Sequence, residues 1–183
     1  MGGRDPGRKL RRSRPGLGAL KVALFGAFDP AYPRTVVIRQ ALESAGVEVR
    51  AVSVSPRAGA LTRGPGLLAA WATRSRGVDA VIVPSFGHRD VPLAAALGRL
   101  AGVPVLFDPL VSRWDTQVGD LRRVRPGGFG AARLRASDRL ALSLPDLVLC
   151  DTWEHGDLFS SEFGVPKIPS EISAPARRSM ARG

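Results

Sequence analysis

A short apolar run that stops at a glycine, proline or aspartate, then a helical stretch, then another such run: this alternation recurs along most of the chain. The apolar runs cover residues 20–25, 47–54, 79–83, 103–107 and 146–150. Each is too short for a helix and long enough for a buried strand. Between them the apolar residues return with helical spacing. Pro33 opens one such stretch, Val37, Ile38, Ala41, Leu42 and Ala45 give it one apolar side, and Gly46 ends it. Further helices are expected over 65–76, carrying Leu67, Leu68, Trp71 and Ala72, and over 91–100, 129–144 and 152–162. Residues 112–127 are irregular and read as a long loop or a short helix, and Val165 reads as the start of a sixth strand. Strand, helix, strand with short links is the βαβ unit, and largely apolar strands suit a sheet covered by helices on both faces. The expected fold is therefore α/β, a doubly wound and mostly parallel sheet over residues 20–166, flanked by a basic tail (1–19) and an irregular one (167–183).

A chain of 183 residues, 44% of them apolar, can bury a core without staples, and its single cysteine, Cys150, has no internal partner for a disulfide. No apolar run reaches the roughly 20 residues that span a bilayer. The basic start resembles the charged part of a signal peptide, but the apolar stretch after it contains Lys21 and lacks a small-residue cleavage site, so it reads as the first strand. Pro6 stands where an N-myristoylation signal needs Ser or Thr. These features predict a cytoplasmic protein. The formal charge of +11 favours polyanionic partners, and an anionic membrane surface on the inner face, a phosphorylated substrate and nucleic acid all satisfy it. No specific nucleic-acid-binding motif accompanies the arginines, neither a recognition helix, a zinc finger nor a paired aromatic sheet.

In an open parallel sheet ligands bind beyond the carboxyl ends of the strands, so the loops there carry the candidate residues. Gly26 follows the first run, with Asp29, Tyr32 and Arg34 close behind it. A glycine here allows a tight turn and a close ligand approach, or turn chemistry alone. The lone glycine is not the dinucleotide fingerprint, and no Walker sequence occurs. After the third run come Gly87, His88 and Asp90. His88 would lie over the crevice as a sugar-binding group or general base, or be an exposed loop residue, with Asp90 capping the next helix. After the fourth run Asp108, Ser112, Trp114 and Asp115 gather. Asp108 suits hydroxyls, a basic group or a cap, and Trp114 is more readily a core-closing ring than a stacking face. After the fifth, Asp151, Thr152 and His155 open a helix, with Asp151 and His155 one turn apart. Two histidines and one cysteine, separated by strands, do not suggest a metal site, and no Gly-x-Ser-x-Gly elbow occurs.

Taken in order, Phe28-Asp-Pro-Ala-Tyr-Pro-Arg34, Gly87-His-Arg-Asp90, Phe107-Asp-Pro-Leu-Val-Ser112 with Trp114-Asp-Thr116, and Pro145-Asp-Leu-Val-Leu-Cys-Asp-Thr152 with His155 resemble the N-terminal half of a bacterial family 4-like glycosyltransferase. That resemblance, over about residues 20–166, implies one Rossmann-like half of a two-domain (GT-B) enzyme. It further implies an acceptor-binding role, with a polar or lipid-linked acceptor. Gly26 would then lie beside the donor phosphates, His88 near the reacting sugar as a catalytic residue, and Asp108 and Asp151 along the cleft wall. No cofactor is bound permanently; the co-substrate of a complete enzyme would be a nucleotide-sugar, held by a second domain. Residues 167–183 do not read as the start of such a domain, so the expectation is a truncated hexosyltransferase half, inactive unless a separately encoded donor-binding domain completes it. The alternative is a non-catalytic α/β binding module with a basic, anion-binding surface.

Overall fold

The computed structural model describes residues 20–165. Both expected tails, and Pro166, lie outside them. Five parallel strands form one sheet in the order β2-β1-β3-β4-β5: β1 (Lys21–Gly26), β2 (Glu48–Ser53), β3 (Ala80–Val83), β4 (Val105–Phe107) and β5 (Leu147–Val148). The connecting helices are α1 (Pro33–Ser44), α2 (Ala60–Arg74), α3 (Val91–Ala101) and α4 (Phe129–Ser143), and α5 (Trp153–Phe163) follows β5. The predicted doubly wound α/β fold is thus the observed one.

Alternation along the strands sorts the core onto two faces. Ala23 and Phe25 of β1, Val81 and Val83 of β3 and Val105 and Phe107 of β4 join a large cluster with Leu67 of α2, Val91 and Ala94 of α3, and Ala141 of α4. Val22, Leu24 and Ile82 point the other way, toward Phe28 and Leu42 of α1. Phe25 is fully buried, and the edge of its ring meets Trp71 at 6.0 Å between centroids.

Several boundaries differ from the sequence reading, each for a local reason. Helix α2 begins at Ala60 rather than 65 and carries Pro65 inside it. Gly-Pro-Gly at 64–66 reads as a breaker, yet contacts made by its neighbours outweigh propensity: Arg63 is held by an ion pair, Leu67 is buried, and Gly66 lies so close to Val54 that a Cβ there would sit 2.9 Å from Cγ1. The irregular 112–127 segment contains one π-helical stretch, Asp115–Asp120, in which Leu121 N–H reaches back to Thr116 O. Val165 starts no strand among the described residues. It follows Gly164, left-handed at φ 73°, and its N–H returns to Phe159 O, closing α5 as a Schellman turn. No helix among the described residues is long and apolar enough to cross a membrane.

The order places the topological switch between β1 and β3, because the chain goes from β1 outward to β2 and then returns to β3 on the other side of β1. The loops leaving these two strands therefore part at the carboxyl edge of the sheet and open a crevice there. Because Phe25 ties that edge to α2 from below, Phe25→Ala is expected to lower the unfolding free energy by about 3–5 kcal/mol. A urea titration measures it, and a loss under about 1 kcal/mol would contradict the packing described.

Candidate functional site

Asp90 organises the switch point. It precedes α3, but its carboxylate does not cap that helix. One oxygen accepts from Ala27 N–H at 2.9 Å, and Arg63 closes a two-bond fork on the same carboxylate at 2.6 and 2.7 Å. Asp90 is only 2% exposed, so these bonds offset its desolvation. Gly26 makes the approach feasible: it adopts φ +137°, and a Cβ on it would lie 2.7 Å from Asp90 Oδ2. The space that the sequence reading reserved for a ligand beside Gly26 is therefore occupied by the Asp90 carboxylate.

A second network runs across the sheet. Arg34, in the first turn of α1, donates from Nε to both oxygens of Asp108 at 2.9 and 2.7 Å and from Nη2 to Oδ1 at 2.6 Å. Asp108 directly follows β4, has no exposed surface, and also accepts from Ser85 Oγ at 3.1 Å. The other end of the guanidinium lies 3.6 Å from Asp151 Oδ2 beyond β5. Asp151 Oδ1 in turn meets His155 Nδ1 at 2.7 Å, and Thr152 caps α5 by accepting from His155 N–H. The hydrogen bond to Asp108 raises the Arg34 pKa, and the contact with His155 holds the Asp151 carboxyl below its ordinary range. Arg34, Asp108, Asp151 and His155, read from loops up to 121 residues apart in numbering, thus form one row along the carboxyl edge.

His88 is elsewhere than expected. Both sequence readings left it at the surface, but its side chain is fully buried in the 3₁₀ turn Gly87–Arg89. The ring stands edge-on to Phe107 at 5.0 Å, and Nε2 faces Asp138 Oδ1 at 3.9 Å. Neither ring nitrogen has a hydrogen-bond partner, nor does Asp138 Oδ1. Burial lowers the His88 pKa to about 4, with Arg113 acting in the same direction and Asp138 against it. Gly87 packs against Val83 and leaves no room for a side chain.

Ser112 and Asp115 belong to this buried cluster as well. Ser112 Oγ donates to Asp138 Oδ2 at 2.8 Å and accepts from Asp115 N–H at 3.0 Å, and Trp114 N–H supplies Asp138 with a further bond at 2.8 Å. The Trp114 ring packs against the core beneath the Arg135 guanidinium, as its core-closing reading required. Asp29 is exposed and closes its own turn through Ala31 N–H. Tyr32 precedes α1 and meets Phe86 edge-on at 5.4 Å. Phe86 is itself left-handed at φ 65° and 52% exposed, a strained and open aromatic at the crevice mouth.

Sequence reasoning missed Arg63 and Asp138. Asp138 carried a signal: it falls on the stripe Ala131, Leu134, Asp138, Ala141, where a carboxylate among inward-facing positions must find partners. Arg63, one turn before Leu67, was hidden by the late helix start.

The open face of this site presents a guanidinium, a carboxylate paired with an imidazole, and two aromatic rings above a parallel sheet. That is a Rossmann-like α/β domain with its polar cluster at the strand ends, where open parallel sheets bind ligands. Residues 8–172 match the model of the glycosyl transferase 4-like domain, and the chain belongs to that family. No curated protein matches it.

Two outcomes follow from the geometry. Gly26→Ala is expected to destabilise the fold by about 1–3 kcal/mol in chemical denaturation, since the new Cβ must displace Asp90 and accept a positive φ. For His88 the folded pKa lies below the free value of 6.5, so the unfolded chain binds the extra proton. Its contribution is complete above pH 6.5 and is lost as the pH falls toward about 4, at up to about 1.4 kcal/mol per pH unit. His88→Gln is expected to flatten the stability profile over that window; an unchanged slope would contradict a buried neutral imidazole.

Proposed function

We propose that this domain is the acceptor-binding half of a glycosyltransferase that moves a sugar from a nucleotide-sugar to a hydroxyl acceptor, with the donor gripped from across the crevice by a second domain. The observation that carries this reading is the row Arg34–Asp108–Asp151–His155, which sits at the strand ends of a family 4-like domain and keeps polar groups facing outward. Asp108 immobilises Arg34, whose side chain remains 26% exposed, so a cationic donor is set in place before a ligand arrives. With Nδ1–H directed to Asp151, His155 keeps Nε2 as an acceptor for an acceptor hydroxyl. Tyr32 and Phe86 supply the apolar faces against which a sugar ring packs.

In such a transfer the acceptor oxygen bonds to the anomeric carbon, the bond from that carbon to the diphosphate oxygen breaks, and the hydroxyl proton passes to the departing diphosphate. The residues of this domain orient the hydroxyl, and cationic groups across the crevice stabilise the leaving diphosphate. His88 is buried against Phe107 and Asp138 and presents no ring surface to the crevice.

The test is transfer of label from a nucleotide-sugar panel to a lipid and saccharide extract of the host, with host lysate supplying a second domain. Label transfer is expected to depend on the added chain, and Arg34→Gln and Asp151→Asn to lower its rate about tenfold or more, mainly through the acceptor KM. Equal transfer by wild type and both variants would contradict the assignment.

A further inference from the structure

Apart from the Arg34 row, the structure holds a concavity lined by charged groups. A cleft of about 290 Å³ opens between the first turn of α2 and the segment leading into α3. Its walls include Ala60, Arg63 and Gly64 on one side and Arg89, Asp90 and Leu93 on the other. Two of these residues are cationic and one is anionic, but the anion is already spent: each Asp90 oxygen takes a bond from Arg63, and Oδ2 takes Ala27 N–H as well. Arg63 commits Nε and Nη2 to that fork. Arg89 is exposed and makes no hydrogen bond or ion pair among the described residues. An arginine left without a carboxylate partner in the wall of a small cleft, opposite a second arginine, is an arrangement that favours an anion.

The backbone adds to the same polarity. Helix α2 is 15 residues long and begins at Gly59, whose lack of a side chain leaves its first turn without a side-chain cap. Thr62 and Arg63 N–H turn back to Gly59 O, whereas the amides of Ala60 and Leu61 lie ahead of the helical ladder at the positive end of its dipole. The charged donors in the cleft walls are the arginines: Arg89 with its whole planar fork, and Arg63 with the part of its guanidinium outside the Asp90 pair. A carboxylate offers two oxygens in one plane; a terminal phosphate offers three, set tetrahedrally, and up to two charges against the net positive wall.

We propose that the cleft between α2 and α3 is a binding site for a phosphate monoester, held by Arg89 and Arg63. The site does not depend on the glycosyltransferase reading, and its test reads binding alone, so either assignment can fail without the other. Its ligand is a phosphorylated small molecule or the headgroup of a phosphate-bearing lipid; Leu61, in the same turn of α2, is 92% exposed.

Calorimetric titration of the full chain with inorganic phosphate, at constant ionic strength, is the test. Saturable one-site binding is expected. Arg89→Gln should weaken it about tenfold or more, and Arg133→Gln, on α4 away from the cleft, by less than about twofold. Arg89 has no partner to lose, so the melting temperature of R89Q should match the wild type. If that variant fails to fold, Arg89→Lys takes its place, with a smaller loss because the charge stays and the fork is gone. No saturable binding, undiminished binding in the Arg89 variants, or an equal loss in R133Q, which would mean diffuse attraction to a chain of charge +11, would each overturn the proposal. A parallel arm uses vesicles of phosphatidylcholine with and without phosphatidic acid. Arg89-dependent retention on the acidic vesicles supports the site and identifies a lipid source; phosphate binding without retention supports it with a soluble one.

Discussion

Asp108 stands at the end of β4 with no surface exposed to water, and the three hydrogen bonds from Arg34 are what make that position tenable. A carboxylate buried without a partner would cost several kcal/mol, and removing one partner of such a pair typically costs about 3–5 kcal/mol. Because Arg34 belongs to α1 and Asp108 to the far side of β3, the pair also fixes where α1 begins relative to the strand ends. Ser85, in the loop leaving β3, is drawn into the same carboxylate, and Asp151 takes up the remaining face of the guanidinium. One ion pair therefore holds loops from four strands in register, and the crevice between them has a set shape before any ligand enters.

Two other buried carboxylates repeat the device at a smaller scale. Asp90 joins the β1 loop to α2, and Asp138 joins α4 to the segment 112–115. They differ in completeness. Both oxygens of Asp90 are bonded, whereas one oxygen of Asp138 faces an imidazole at 3.9 Å with no hydrogen bond between them. Polar networks in a low-dielectric interior are stiff where satisfied and weak where not. Rigidity is thus concentrated under the crevice at Asp90 and Asp108, and acid sensitivity at His88.

The fold was legible because its strands are apolar runs of the right length, separated by helices with apolar sides; the order of elements and the parallel sheet follow from that pattern alone. What escaped was fixed by distant partners. The start of α2 is hidden by Gly64-Pro65-Gly66, since the stabilising contacts of that turn come from Asp90 and Val54. Arg34, Asp108, Asp151 and His155 were each legible as polar residues in the loops at the strand ends, yet nothing in the spacing says that they touch. For Gly26, His88 and Asp90 the loop was right, but a loop at a strand's carboxyl end can turn its polar side chains inward to tie down the scaffold as readily as outward to a ligand. Only burial distinguishes the two, and His88 and Asp90 both turn inward.

The most direct test of this account is a double-mutant cycle on Arg34→Gln and Asp108→Asn, read by urea unfolding. If the pair organises the crevice, the two losses will not add, and the coupling free energy will be about 2 kcal/mol or more. Losses that add to within about 0.5 kcal/mol would mean that Arg34 and Asp108 act independently, and the crevice would need another support.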